Sequence, residues 1–133
     1  MACGVLLLAL DARRLRRRRS AFATRPPLAD PEFLRAVRAE AADATLWLAV
    51  RRALADSCGV PAESVRPRDR LADLWNLRSD GPDFLDLLFR LERRLGVKIP
   101  RGAVESMSPG SRPEDFGDFA ADVVAGLRMS MRP

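Results

Sequence analysis

The stretch that most constrains this chain is residues 80–100, DGPDFLDLLFRLERRLGVKIP, which carries a helix start, an apolar stripe and a helix stop. Pro82 suits a first helical position, with Ser79 or Asp80 as the N-cap in front of it. At 100° per residue the apolar side chains share one face and the charged ones gather opposite. Gly96 ends the helix in a left-handed conformation. The pattern predicts an amphipathic helix of about four turns that buries one face in a core.

The amino-acid composition limits the functions that a protein with such a core can have. A length of 133 residues predicts one domain. Histidine and tyrosine are absent from the sequence, so the commonest general acid and base is missing and an enzyme is disfavoured. The two cysteines, Cys3 and Cys58, fit neither a metal-ligand spacing nor a disulfide framework. We therefore expect a non-enzymatic protein without a metal site, and a buried Cys58.

Positive charge is concentrated in the first third of the chain. Residues 1–42 hold nine arginines against four carboxylates, whereas residues 43–128 hold thirteen basic and fourteen acidic groups. The net charge of +5 therefore belongs to the N-terminal part. Nucleic-acid binding is disfavoured, because the sequence predicts no basic face on the domain and the arginine run has no interleaved aromatic side chains.

The N-terminal segment joins an apolar run to a cluster of arginines. GVLLLAL at residues 4–10 is followed by Arg13, Arg14, Arg16, Arg17, Arg18 and Arg19. The run is far shorter than the about 20 residues that span a bilayer, but its order is typical of the cytoplasmic end of a membrane helix. One hypothesis is that a longer N-terminus was lost to a misplaced start codon; the alternative is a disordered basic tail. Either form can bind anionic lipid, so we expect a cytoplasmic protein that can lie at the inner face of the membrane.

The rest of the chain predicts further helices and one long loop. Asp30 and Pro31 indicate a short helix to about Glu40, and Asp43 or Thr45 can cap a second helix that Gly59 ends. Residues 59–77 read as a loop pinned by spaced apolar side chains, residues 103–107 as a brief turn, and Ser111 as the start of a last helix. The expected organisation is a basic tail at 1–29, a short helix within 30–42, a helical domain at 43–128 and a tail at 129–133. The fold class is all-α, a small antiparallel four-helix bundle with a long loop between its first two helices.

Residues 45–127 resemble an acyl carrier protein. The resemblance is carried by three segments in order: LAVRRALADSCGVPAESVRPRDRL, DFLDLLFRLERRLGVKIP and PEDFGDFAADVVAGL. They are similar to the family's first helix with the start of its long loop, its second helix with the following Ile-Pro, and its last helix. The resemblance implies a monomeric carrier of acyl intermediates that serves acyl-handling enzymes and holds 4′-phosphopantetheine on a serine.

The chain departs from the family at that serine. In the family the modified serine follows an aspartate at the start of the second helix, and the ungapped alignment places Asp80 at the aspartate and Gly81 at the serine. Ser79 is the only hydroxyl beside this turn. It is either displaced into the role of the modified serine or simply caps the helix.

The resemblance also implies a docking surface on the helix after Asp80. Leu85 and Phe89 extend the apolar arc beyond the core face. The predicted surrounding carboxylates are Asp80, Asp83, Asp86 and Glu92. Arginines in the second half of the helix predict a partner of mixed charge, unless the charges only complement the helix dipole. The alternative function is an unmodified interaction or scaffold module at the membrane surface.

Overall fold

The structure is a computed structural model that describes residues 2–78, 80–81, 83–107 and 114–132. The described part is all-helical: one isolated bridge between Arg70 and Asp115 is its only β-type pairing. Its α-helices are α1 (Ala2–Ala23), α2 (Asp30–Ala36), α3 (Ala44–Cys58), α4 (Leu71–Trp75), α5 (Phe84–Leu95), α6 (Arg101–Met107) and α7 (Phe116–Ser130). Short 3-10 turns occupy Ala41–Asp43 and Ala62–Ser64. The prediction of an all-α protein is confirmed.

The core forms around α3. This helix packs against α5 and α7, α6 packs against α7, and α2 leans on α3. Cys58 at the end of α3 is fully buried, as its position in the apolar stripe predicts. Gly59 then ends α3 at φ 72°, and Gly96 ends α5 at φ 66°. Both glycines adopt the left-handed conformation that the sequence predicts.

The long loop between α3 and α5 crosses the helices and is held by its apolar side chains. The predicted anchors Val60, Val65, Leu71 and Leu74 are all buried. Backbone bonds fasten the loop to the start of α7, with Leu71 N donating to Glu114 O at 3.0 Å. Burial of these side chains offsets the entropy cost of ordering a long connection.

The caps of α5 and α7 differ from the predicted ones. α5 begins at Phe84, and its N-cap is Asp83, whose carboxylate accepts from the Asp86 N–H at 3.0 Å. Asp80 was expected to cap this helix but pairs with Arg78; the other predicted cap, Ser79, and Pro82 lie outside the described residues. α7 is capped by Asp115, whereas the predicted start at Ser111 lies outside them. A cap must lie directly before the first turn, so a short shift in the helix start selects another aspartate.

The aspartates expected to cap α2 and α3 bind arginines instead. The Asp30 carboxylate accepts from Arg51 at 3.1 Å and from Arg52 at 2.8 Å. Asp43 is the N-cap residue of α3 by position, but its buried carboxylate binds Arg128 of α7 rather than a helix N–H. A guanidinium group carries a full positive charge and several donors, whereas the N–H groups of a helix start carry only partial charge, so an arginine within reach competes with the cap for the carboxylate.

The short helix α2 ends earlier than predicted, at Ala36 rather than about Glu40. Arg38 adopts φ 55°, Ala39 N donates to Leu34 O, and Arg38 N donates to Arg35 O. This is the Schellman arrangement of a helix end, with arginine at the position where glycine is usual.

The N-terminal segment forms α1 rather than the disordered tail considered above. Its leucine, alanine and arginine residues are good helix formers. Its C-terminal end contacts the domain, with Arg19 Nε donating to Leu77 O at 2.9 Å and Phe22 packed against the core. Within the described ranges, no helix combines the length and the apolar character that crossing a bilayer requires.

Candidate functional site

The exposed face of α5 carries two large apolar side chains. Leu85 is 72% exposed and Phe89 is 56% exposed, whereas Leu87 and Leu91 on the other face are fully buried. Residues four apart lie side by side on a helix, so Leu85 and Phe89 form one surface, here called the α5 patch. The Arg93 guanidinium lies 5.9 Å from the centre of the Phe89 ring. The patch therefore presents apolar area bordered by positive charge.

All four carboxylates expected around this patch are bound within the chain; Asp80 pairs with Arg78. Asp83 caps α5. Asp86 accepts from Ser57 Oγ at 2.9 Å, Arg78 at 3.0 Å and Arg90 at 2.9 Å. Glu92 accepts from the Ile99 N–H at 3.0 Å and so holds the extended segment after α5. Their first role is to position α5, which the sequence pattern did not indicate.

The segment before α5 is fastened by Arg78. Its Nε donates to Gly81 O at 2.9 Å, its Nη1 to Ser57 O at 3.2 Å, and its Nη2 to the Asp80 carboxylate at 3.2 Å. Together with the bond to Asp86 these contacts form the Arg78 network, which ties the end of α3 to the start of α5. Sequence reasoning missed Arg78; its position ahead of Asp80, Asp83 and Asp86 was the available signal.

Electrostatics favour the ionised forms in this network. Burial lowers the pKa of Arg78. The hydrogen bond to Asp86 and the charges of Asp80 and Asp86 raise the pKa by more than burial lowers it, so the net shift is upward. The pKa of Asp86 is lowered, chiefly by the hydrogen bond from Arg90, against desolvation and with help from Ser57 and Arg78. The network is therefore charged at neutral pH.

Gly81, at the position of the family's serine, occupies a conformation that suits glycine. Its φ is 78°, and a Cβ built on it would meet no atom within 4 Å. A serine at this position would fit sterically but would be strained by its backbone. Ser79, the other candidate for cofactor attachment, lies outside the described residues, and Asp80 next to it is exposed and paired with Arg78.

The arginines of α1 lie close to the same region. Arg13, Arg14, Arg16, Arg17 and Arg18 are exposed, and Arg19 is partly buried. Arg14 and Arg18 line a cleft of about 450 Å³ together with Asn76 and Arg78. Asp11 lines the same cleft, so the arginines of α1 meet one carboxylate there as well as the already paired Arg78.

Metal and thiol chemistry find little support in the described part of the chain. Within it no group of three or more histidine, cysteine, aspartate or glutamate side chains is arranged to hold a metal ion. Burial raises the pKa of the Cys58 thiol to about 11, so this thiol is neutral at physiological pH. The neutral form is a poor nucleophile, which fits a packing role for Cys58.

No protein-family model, curated protein or solved structure matches this chain.

Proposed function

We propose that this chain is an acyl-carrier-like protein, itself not an enzyme, that presents acyl intermediates to partner enzymes by docking through α5. In this proposal α3, α5, α6 and α7 correspond to the four helices of an antiparallel carrier bundle, and residues 59–83 to the loop between its first two helices. The order and relative lengths of the helices support the correspondence, with a short α6 between two longer helices.

The observation that carries the proposal is the α5 patch. The buried face of α5 already contributes Leu87, Leu88 and Leu91 to the core, so the fold does not need Leu85 and Phe89. Exposed large apolar side chains placed side by side are typical of a protein interface. Arg93 beside Phe89 favours a partner surface that includes carboxylates.

The attachment point in this proposal is Ser79. Gly81 has no hydroxyl, so the 4′-phosphopantetheine arm of a carrier would need the serine two residues earlier. Its phosphodiester carries negative charge, which Arg14 and Arg18 in the cleft beside Arg78 can balance, although Asp11 lines the same cleft. Catalysis of the attachment belongs to a transferase.

Intact-mass measurement after incubation with coenzyme A and a broad-specificity phosphopantetheinyl transferase tests this function. We expect a mass gain of one arm in the wild-type protein and none in Ser79→Ala. Absence of the gain from the wild-type protein would refute the carrier function and leave an unmodified docking module.

The same reaction tests docking through α5. Leu85→Ala and Phe89→Ala should lower kcat/KM of modification, because the transferase itself must dock on the carrier. Met129→Ala is the matched control, since it removes an equally exposed apolar side chain from α7. Equal rates for all three variants would argue against the α5 patch as the docking surface.

A second candidate is an unmodified scaffold at the inner face of the membrane, and α1 is the observation that favours it. Val5, Leu6, Leu7 and Leu8 are each more than half exposed, and the arginine cluster follows them. Sedimentation with anionic vesicles tests this candidate, with neutral vesicles as control. Each arginine near the surface adds about 1 kcal/mol of binding, so glutamine at all six positions should abolish it.

A further inference from the structure

A second cleft lies away from α5, between α2, the start of α3, residues 66–69 and the start of α7. Its volume is about 860 Å³, within the range of small-molecule sites, and none of its lining residues belongs to α5. Leu28, Val37 and Trp47 form an apolar wall. Four arginines also line it: Arg25, Arg38, Arg66 and Arg68. We call this the α2–α7 cleft.

Positive charge in the α2–α7 cleft is only partly balanced. The cleft also has three carboxylates: Asp69 binds Arg25 at 2.8 Å and the Arg66 N–H at 2.7 Å, Asp115 caps α7, and Asp118 lies in the first turn of α7. Four arginines therefore face three carboxylates. Within the described part of the chain, Arg38 and Arg68 take part in no ion pair. The N-terminal end of the 15-residue helix α7 adds the positive end of a helix dipole.

Arg38 adopts an unusual conformation for an arginine. It holds φ 55° at the end of α2, where glycine would be unstrained. The turn itself needs only the backbone bonds of Ala39 and Arg38, which glycine would also make. The turn therefore does not require the arginine side chain, and strained residues of this kind concentrate at binding sites.

We propose that the α2–α7 cleft binds an amphiphilic anion, a carboxylate or phosphate monoester carried on an alkyl chain. The anionic head pairs with Arg38 and Arg68, and the chain lies along Leu28, Val37 and Trp47. This binding is independent of phosphopantetheine attachment, because the cleft shares no residue with the Arg78 network or the α5 patch.

Fluorescence of Trp47 gives a direct test on the full chain. Trp75→Phe removes the other tryptophan and keeps an aromatic ring against Phe119. Decanoate and decyl phosphate, each below its critical micelle concentration, should change the fluorescence saturably. Decanol and inorganic phosphate should bind at least about tenfold more weakly, since each lacks one half of the recognised chemistry.

Three variants in the Trp75→Phe background decide the role of the arginines. Arg38→Gly should weaken binding by about fivefold or more and raise Tm, because it removes the charge and relieves the backbone. Arg68→Gln should weaken binding similarly. Arg35→Gln, three residues from Arg38 and outside the cleft, should change neither value appreciably.

Saturable binding of decanoate or of decyl phosphate supports the proposal, and the anion that binds more tightly identifies the preferred head group. The proposal is overturned if neither anion binds saturably, if decanol binds as tightly as decanoate, or if Arg38→Gly binds like Arg35→Gln. The rise in Tm shows that Arg38→Gly is folded, so a loss of binding in that variant cannot be attributed to unfolding.

Discussion

Arg51 and Arg78 both fasten a loop to a helix, but in different surroundings. Arg51 on α3 is 0% exposed and donates to Val65 O at 3.1 Å, Leu28 O at 2.8 Å and Asp30 at 3.1 Å. Arg78 precedes α5, and its side chain is 9% exposed, with Asp80 and Asp86 among its acceptors. The first arginine is bound largely by neutral carbonyl oxygens, the second by two carboxylates as well.

Their pKa shifts run in opposite directions. Desolvation lowers the pKa of Arg51 more than Asp30 raises it. For Arg78 the carboxylates outweigh burial and the pKa rises. Arg51 is thus held in the core mainly by neutral acceptors, whereas the largely buried Arg78 is held by carboxylates that are themselves more exposed. The candidate attachment residue, Ser79, follows the second arginine directly in the sequence.

Arg51→Ala should have the largest effect on stability. The substitution leaves a cavity and deprives two carbonyl oxygens of their donor, so we expect the free energy of unfolding to fall by about 3–5 kcal/mol. Denaturant unfolding followed by circular dichroism measures this. Arg52→Ala is the matched control: Arg52 binds the same Asp30 from the surface, and its loss should cost about 1 kcal/mol or less.

Equal losses for Arg51→Ala and Arg52→Ala would contradict the comparison, since they would show that the salt bridge to Asp30 and not the buried bonds stabilises this region.

Arg78→Ala should lower the free energy of unfolding less than Arg51→Ala does, and its effect should be confined to the start of α5. We expect a loss of about 1.5–3 kcal/mol, because charge-assisted bonds at the start of α5 disappear while the core stays packed. Hydrogen exchange should accelerate at the amides of Gly81 and Asp86 far more than at those of α3. Uniform acceleration over the whole chain would instead place Arg78 in the core, together with Arg51.

Lowering the pH should weaken the Arg78 network, because it protonates Asp86. In the folded protein the pKa of Asp86 lies below the ordinary aspartate value of about 3.8, chiefly because Arg90 donates a hydrogen bond to its carboxylate. Its ionised form therefore stabilises the fold above that ordinary pKa, and this contribution is lost as the pH falls through the folded pKa. Asp86→Asn should therefore unfold with a weaker dependence on pH below about 4. Asp118→Asn, on an exposed carboxylate of α7, is the control. An unchanged acid profile in Asp86→Asn would contradict this assignment.

The sequence predicts the helices better than the hydrogen bonds and ion pairs that hold them together. Apolar spacing located α5 and the buried anchors of the long loop, and Gly59 and Gly96 marked two helix ends, because these signals are local. The partners of Arg51 and Arg78 lie on other elements and become visible only when the chain is folded. The arginine at the end of α2 could not be predicted, since left-handed helix ends favour glycine.

The candidate site was predicted only in part. The exposure of Leu85 and Phe89 followed from the helical period, because both lie outside the core face. The use of Asp83, Asp86 and Glu92 within the chain did not, since an aspartate near a helix start reads equally well as a cap, a docking residue or an ion-pair partner. Geometry alone distinguishes these roles.

The smallest expected effect concerns Gly81 and its dependence on Arg78. Gly81→Ala should cost about 1 kcal/mol through its backbone alone, whereas Gly102→Ala, inside α6 and without a positive φ, should stabilise by up to about 1 kcal/mol. Because the Arg78 bond to Gly81 O helps to fix the backbone of this turn at positive φ, Gly81→Ala should cost less in an Arg78→Ala background. Additive losses in this double-mutant cycle would show that the two residues act independently. Coupling would explain why a serine at position 81 conflicts with the Arg78 network, and so why a carrier of this form would need another hydroxyl.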